Sequence, residues 1–287
     1  DWCGLIKMNQ YDDPMGQLMS AAYAKVVTGG WDRIVENEDK TVTSEHVEAN
    51  PNYAITDLVD CIENDVIIDT IKNILSVVKS DYRILICYDY DADPTLKVIK
   101  ENFPNQSRIV FIKNYSKGFI TAIISGFKNS SAQSVMIFMA DDHINHNIIN
   151  LCYEKFKEGY AVVCPSRFIQ DGKMIGCPVL KRFLIRLTSF FLYNFTSLPI
   201  KDSTNSFKLF SMKLIDSIQI ESRKGFALCL ELTAKAHRLG YKITEVPMIW
   251  KERDKGQSKF KLFSFIIPYL RWFFYIIETS IFKKNEK

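Results

Sequence analysis

Between residues 66 and 166 the apolar positions alternate between two rhythms. Ile67, Ile68, Ile71, Ile74, Leu75 and Val78 recur at helical spacing and predict a helix over 66–78. Arg83–Cys87 is a short continuous apolar run, which predicts a buried strand. The same alternation continues with a helix over Thr95–Asn102, a strand over Arg108–Ile112 and a helix over Gly118–Lys128. A strand over Ser134–Met139, a helix over Ile148–Glu158 and a strand over Ala161–Pro165 complete it. Strands that alternate with helices predict βαβ units and a largely parallel sheet. Beyond Pro165 the rhythm changes to an aromatic, basic helix over Leu180–Phe195 and a short strand over Phe207–Phe210. A helix over Gly225–Leu239 and a last strand over Tyr241–Val246 follow. Upstream, Tyr53–Val59 reads as a strand, Met15–Val27 as a helix stopped by Gly29-Gly30, and Glu36–Asn50 as a polar, acidic stretch without a motif.

The chemistry sits where predicted strands end. Ser134–Met139 runs into Ala140-Asp141-Asp142-His143, which puts two carboxylates and an imidazole at a carboxyl edge. In an open α/β sheet ligands bind at that edge. Adjacent acids repel unless a cation or hydrogen-bond donors lie between them, so a divalent metal is the natural guest. The plainer reading is a polar turn in which Asp142 caps the next helix. Cys87 is followed by Asp89-Tyr90-Asp91-Ala92-Asp93-Pro94, an acidic loop at the same edge that is also ordinary turn chemistry. Pro165-Ser166-Arg167 makes a third loop there. Asp202–Lys208 is dense in hydrogen-bonding groups, and Arg253–Lys259 places three cations around Gly256, a composition suited to phosphates.

Charge changes this picture only at the two ends. The chain has 287 residues and a net charge of +4. Nine basic and four acidic residues lie from Lys251 onward, against four basic and nine acidic in residues 1–50. A basic, aromatic end suits an anionic ligand or an anionic surface rather than nucleic acid. The seven cysteines include no CxxC pair, which predicts free thiols in a reducing compartment. No apolar stretch reaches the length of a membrane span, the nearest being Leu262–Phe282, broken by Pro268, Arg271 and Glu278.

Taken in order, these segments resemble a family 2 glycosyltransferase with the GT-A fold, closest to the dolichyl- and polyprenyl-phosphate sugar transferases. The resemblance runs from about Tyr53 to Trp272. It rests on the acidic loop Asp89–Thr95, Ala140-Asp141-Asp142 as the metal motif, Ser166-Arg167, and Asp202–Lys208. It rests also on Glu231 in Ala227–Glu231, on Glu245-Val246-Pro247 and on Arg253–Lys259. The chain departs from the family at Val59–Glu63, where only Glu63 of the usual Pro-x-x-Asn-Glu remains, and at Tyr88-Asp89, where the family has Asp-Asp. The metal motif has two registers. In one Asp142 is the second acid and Ala140 replaces the first; in the other Asp141 and His143 form the i, i+2 pair.

The resemblance implies a Rossmann-like, mostly parallel central sheet flanked by helices, with amphipathic aromatic helices at the C-terminal end. It implies a GT-A domain over 51–259, preceded by an extension over 1–50 and followed by a basic aromatic tail over 260–287. A divalent metal, Mg2+ or Mn2+, would be held by Asp141, Asp142 and His143. The implied catalytic residues are Asp142, Asp202 and Glu231, the last two being general-base candidates for a hydroxyl acceptor. Glu63, Asp89, Asp91, Lys117, Ser166, Arg167, Thr204, Lys208, Arg253, Ser258 and Lys259 would bind substrate. The donor would be a nucleotide-diphosphate sugar, and the acceptor a polyprenyl phosphate or a saccharide hydroxyl. Single displacement would invert the anomeric centre. The location implied is cytoplasmic, peripheral at the cytosolic membrane face. A nucleotidylyltransferase or a dehydrogenase is disfavoured because no glycine-rich phosphate loop follows any predicted strand. A non-catalytic binding protein of the same fold is the stronger rival, given Ile62, Tyr88 and Ala140.

Overall fold

The computed structural model describes residues 30–36, 42–48, 55–140, 142, 144–223, 227–251 and 262–285, of which 66–251 and 268–281 with their side chains. The expected helix over Met15–Val27 lies outside the described residues. The chain divides into two compact units, residues 1–69 with 91–105, and residues 70–90 with 106–287.

The first unit contains an antiparallel pair, β1 (Gly30–Glu36) and β2 (Val42–Glu48), within a region read as motif-free. It also holds most of the first turns of α1 (Ile55–Val77) and all of α2 (Pro94–Asn102). Here the sequence reading is corrected: Ile55–Val59 begins a helix and is not part of a strand. A short β-branched run fits either period, and the 23-residue apolar spacing that follows decides for the helix. Asp93 caps α2, its carboxylate accepting the Thr95 N–H at 3.0 Å, with Pro94 in the first turn where its missing N–H costs nothing.

The second unit carries the sheet. β3 (Ile84–Tyr88) and β4 (Ile109–Lys113) pair in parallel, and α3 (Phe119–Lys128) packs on them. A four-stranded sheet follows in the order β5 (Ser134–Ile137), β8 (Lys208–Ser211), β6 (Val162–Ser166), β9 (Ile243–Pro247). β6 and β9 are parallel, whereas β8 runs antiparallel to both β5 and β6. Strands β5, β6 and β9 therefore all point the same way and deliver Asp142, Arg167 and Met248 to one edge. A further parallel pair, β7 (Lys173–Ile175) with β10 (Ile249–Lys251), extends that edge.

Period-2 alternation sorts the strand side chains into two cores. Val162, Cys164, Phe210 and Ile243 face one layer, with Ile120 and Phe127 of α3 and Leu214 of α6 (Met212–Asp216). The same layer takes Leu228, Leu230 and Leu232 of α7 (Ala227–Arg238) and Trp272 and Ile276 of α8 (Leu262–Asn285). Val163, Leu209 and Val246 face the other layer, with Ile148 and Cys152 of α4 (Ile148–Lys157). α7 is buried along nearly its whole length, as an internal helix requires.

The aromatic, basic helix α5 (Val179–Phe195) buries Ser189 and Leu192. The tail helix α8 seals Trp272, Ile276 and Thr279 inside, while Leu270, Phe274 and Ile281 are exposed. Arg238 of α7 lies over the Tyr275 ring, 3.4 Å from its centroid, and pairs with Glu278 at 2.6 Å. Among the described residues no helix is long and apolar enough to cross a membrane.

Candidate active site

Three polar clusters lie at the carboxyl ends of the strands. In the first, Asp89 follows β3 and accepts the Asn114 Nδ2–H at 2.8 Å and the Gly118 N–H at 3.2 Å. Burial raises this carboxyl, but bonds that favour the anion, Asn114 and then Gly118 among them, outweigh it and hold it below its ordinary value. Gly118, at φ +117°, turns the chain into α3 in a conformation that L side chains rarely adopt. Lys117 is exposed on the same turn. Asp91 belongs to the first unit, where it lines a cleft of about 560 Å³ with Asp93, Lys97 and Lys100.

The second cluster surrounds Asp142. Its Oδ1 accepts the N–H of Ile144 at 3.1 Å, the N–H of Asn145 at 2.9 Å and Asn145 Nδ2 at 3.0 Å. Among the described residues its Oδ2 accepts Asn145 Nδ2 alone, at 2.7 Å. One carboxylate oxygen is thus saturated, and the other keeps a lone pair. A half-buried carboxylate oxygen with a spare lone pair is a hard donor, and it fits a Mg2+ or Mn2+ ion that takes its remaining ligands from water and phosphate. Among the described residues no three His, Cys, Asp or Glu side chains converge on a metal position. The other two expected ligands, Asp141 and His143, lie outside the described residues, and so do Arg253, Ser258 and Lys259. The Glu63 backbone belongs to α1, with its side chain outside the description.

The third cluster is an ion pair at the end of β6. Arg167 is 7% exposed and Asp202 0%. Arg167 Nε and Nη2 donate to the two Asp202 oxygens at 2.6 and 2.7 Å, and the Arg167 N–H adds a third bond at 2.9 Å. Nη2 also reaches Thr204 Oγ1 at 3.1 Å. Burial pulls the guanidinium down, and Asp202 more than offsets this, so its pKa is raised. The Asp202 N–H donates to Glu245 Oε1 at 2.8 Å, which ties the pair to β9. Gly172 presses on the same turn: a Cβ there would lie 2.5 Å from Ser166 O, so only glycine permits the approach.

Four of the expected site residues are buried and bonded within the fold. Asp202 is fully buried with both oxygens on Arg167, so it holds that guanidinium in place, and a proton taken up there would break the pair. Glu231 is fully buried; it accepts the Glu221 N–H at 2.6 Å and the Ser222 N–H at 2.7 Å, and pairs with Lys235 at 2.9 Å. Lys208, expected on substrate, is fully buried and donates to Ser203 O at 2.7 Å and Thr233 Oγ1 at 2.9 Å. Ser166 is also sealed, with its carbonyl accepting the Met248 N–H at 2.9 Å. Two residues that sequence reading passed over have large roles. Asn145 joins Asp142 to β10, and Asn205 spans Pro165 O at 2.7 Å and the Phe207 N–H at 3.2 Å. Asn205 lies inside the Asp202–Lys208 motif, whereas Asn145 lies two residues beyond Ala140–His143 and carried no signal.

Among the described residues Cys87, Cys152, Cys164 and Cys229 are free thiols. Burial pushes the thiols of Cys87 and Cys229 up to about 11 and that of Cys164 up to about 12, which leaves them without thiolate chemistry near neutrality.

The α/β sheet thus gathers carboxylates and an arginine at one carboxyl edge, where open α/β folds bind their ligands. The chain belongs to glycosyl transferase family 2, whose family model matches residues 61–219. It is 24% identical over 185 residues to the dolichol-phosphate mannosyltransferase of Pyrococcus furiosus, covering 63% of this chain and 51% of that protein. It is 31% identical over 101 residues to the undecaprenyl-phosphate mannosyltransferase of Micrococcus luteus, covering 34% and 41%. The chain spans about half the length of the curated relatives it matches. Its fold is that of the Mycobacterium tuberculosis glucosyl-3-phosphoglycerate synthase solved with Mn2+, UDP-glucose and phosphoglyceric acid. That likeness has a TM-score of 0.56 at 15% identity and covers 74% of this chain and 76% of the other.

Proposed function

We propose that this chain transfers a hexose from a nucleotide-diphosphate sugar to a polyprenyl phosphate at a membrane surface, with inversion at the anomeric carbon. The observation that carries the choice of acceptor is the state of Asp202 and Glu231. Each is buried and bonded through both oxygens to cations or backbone N–H groups. A hydroxyl acceptor needs a general base within reach of its proton. A phosphate monoester, with a second pKa of about 6, is already anionic near neutrality and needs none. The names of the Pyrococcus and Micrococcus relatives point the same way.

Within this reading, Asp142 supplies the carboxylate that would hold the divalent ion, with Asp141 or His143 beside it according to register. When bound, that ion neutralises charge on the departing nucleoside diphosphate. Asp89 would serve the nucleoside. Arg253 and Lys259, by composition, would grip phosphate. Arg167 is fixed by Asp202 before substrate arrives, so its charge needs no reorganisation.

α5 supports a membrane-bound acceptor. Leu180, Phe183, Leu187, Phe190 and Phe191 project to solvent at helical spacing, with Phe190 56% and Phe195 67% exposed. Lys181, Arg182 and Arg186 interleave with them. An apolar stripe flanked by cations and turned outward suits the headgroup region of an anionic bilayer.

The test is a transfer assay with UDP-glucose and GDP-mannose against three acceptors: undecaprenyl phosphate, phosphoglyceric acid and a free oligosaccharide. Label in an organic-extractable, phosphate-linked product is expected, together with sedimentation on anionic vesicles that weakens about tenfold or more in Phe183→Ser/Phe190→Ser. Label confined to a water-soluble product would establish a hydroxyl acceptor and overturn this reading.

A further inference from the structure

Asn145 performs a task that the family assignment does not supply. Its side-chain amide is 5% exposed and makes bonds to two partners far apart in sequence. Oδ1 accepts the Ile249 N–H at 3.2 Å, and Nδ2 donates to Ile249 O at 2.8 Å. The carboxamide thus pairs with β10 as a neighbouring strand would, using one acceptor and one donor. Its second Nδ2 hydrogen is shared between the two Asp142 oxygens, at 3.0 and 2.7 Å. Every hydrogen-bonding atom of the amide is engaged.

We infer that Asn145 is a positioning residue, which fixes the Asp142 carboxylate against β10 so that Oδ2 alone keeps a lone pair for a cation. The inference rests on the reading of Asp142 as a metal ligand. The physical reasons are three. A carboxylate on a loop rotates unless donors hold it, and the Ile144 and Asn145 N–H groups hold only Oδ1. β10 is in turn paired with β7, and the Met248 N–H is bonded to Ser166 O, so the anchor is rigid and continuous with the Arg167 turn. Finally, no other side chain of this size offers two donors and one acceptor: aspartate would set oxygen against Ile249 O and Asp142, and alanine would leave the Ile249 groups open. Outer-shell partners of this kind typically govern metal affinity by about 10–100-fold.

Asn150 provides an internal control. Its carboxamide makes the same two-point clamp, accepting the Lys79 N–H at 3.1 Å and donating to Val77 O at 2.9 Å, but touches no carboxylate. The experiment titrates Mn2+, followed by its free-ion EPR signal, into wild type, Asn145→Ala, Asn145→Ser and Asn150→Ala with UDP and separately with GDP. Thermal midpoints are recorded in parallel. Both Asn145 variants are expected to bind Mn2+ at least about tenfold more weakly, beyond what their thermal midpoints account for. Asn150→Ala is expected to lose stability while keeping wild-type Mn2+ affinity. Unchanged Mn2+ affinity in a folded Asn145 variant would overturn the inference alone. No Mn2+ uptake by the wild type with either nucleotide would overturn the metal reading of Asp142 and this inference with it.

Discussion

Replacing Asp202 by alanine is expected to destabilise the chain by about 3–5 kcal/mol, the usual penalty when one partner of a buried ion pair is removed. The guanidinium of Arg167 would stay almost fully buried and retain Thr204 Oγ1 and the face of the Phe168 ring, neither of which carries a balancing charge. The Arg167 N–H would also lose its acceptor. The double variant Arg167→Met/Asp202→Leu separates this penalty from function. Apolar groups of similar volume remove both charges together, so stability is expected to return to within about 1–2 kcal/mol of wild type while transfer remains absent. Urea unfolding followed by circular dichroism measures both. A loss below about 1 kcal/mol in Asp202→Ala would mean that water reaches Arg167 and that the pair is a surface one.

Glu231→Ala is expected to cost about 2–6 kcal/mol, since two backbone N–H groups at about 1–3 kcal/mol each lose their acceptors. Those groups belong to Glu221 and Ser222, on the loop entering α7. The same loop anchors the tail helix: Ser222 Oγ accepts Trp272 Nε1–H at 3.0 Å, Glu221 pairs with Arg271, and the Lys235 ammonium lies 5.1 Å from the Trp272 ring centroid. Lys235 keeps Glu221 at 2.6 Å in the variant, so its charge is not stranded. The expected consequence is selective: α8 loosens before the sheet. Limited proteolysis should release the C-terminal helix from Glu231→Ala at a denaturant concentration where wild type resists. Simultaneous loss of helix and sheet, or no change in stability, would contradict this.

Much of the second unit is legible because its strands are apolar runs bounded by turn residues. Ile84–Tyr88, Ile109–Lys113 and Val162–Ser166 each lie within a residue or so of the expected bounds. The direction of β8 is not legible, since Phe207–Phe210 reads the same either way and only its partners β5 and β6 make it antiparallel. Ile55–Val59 misleads for a different reason, a β-branched run too short to distinguish periods. At the site, residue types announced chemistry but not exposure. The Lys208 ammonium and the Ser166 hydroxyl suggest a ligand, and the fold engages them with Ser203 and Thr233 and with the Phe168 N–H instead. The Asn145–Ile249 clamp joins positions 104 apart, a relation that local pattern does not encode.

A metal-dependent sugar-nucleotide site built around Asp142 would make the folded chain respond to nucleotide and metal together. The measurement is its thermal stability with UDP, GDP, UDP-glucose and GDP-mannose, each in Mn2+ and in EDTA. A ligand at about 100 times its Kd adds roughly 2.7 kcal/mol to the folded state, a readily measured rise in melting temperature. Such a rise is expected with the diphosphate and sugar of one base only, in Mn2+ and not in EDTA, and is expected to be lost in Asp142→Ala. The same melting temperature under all eight conditions would contradict it.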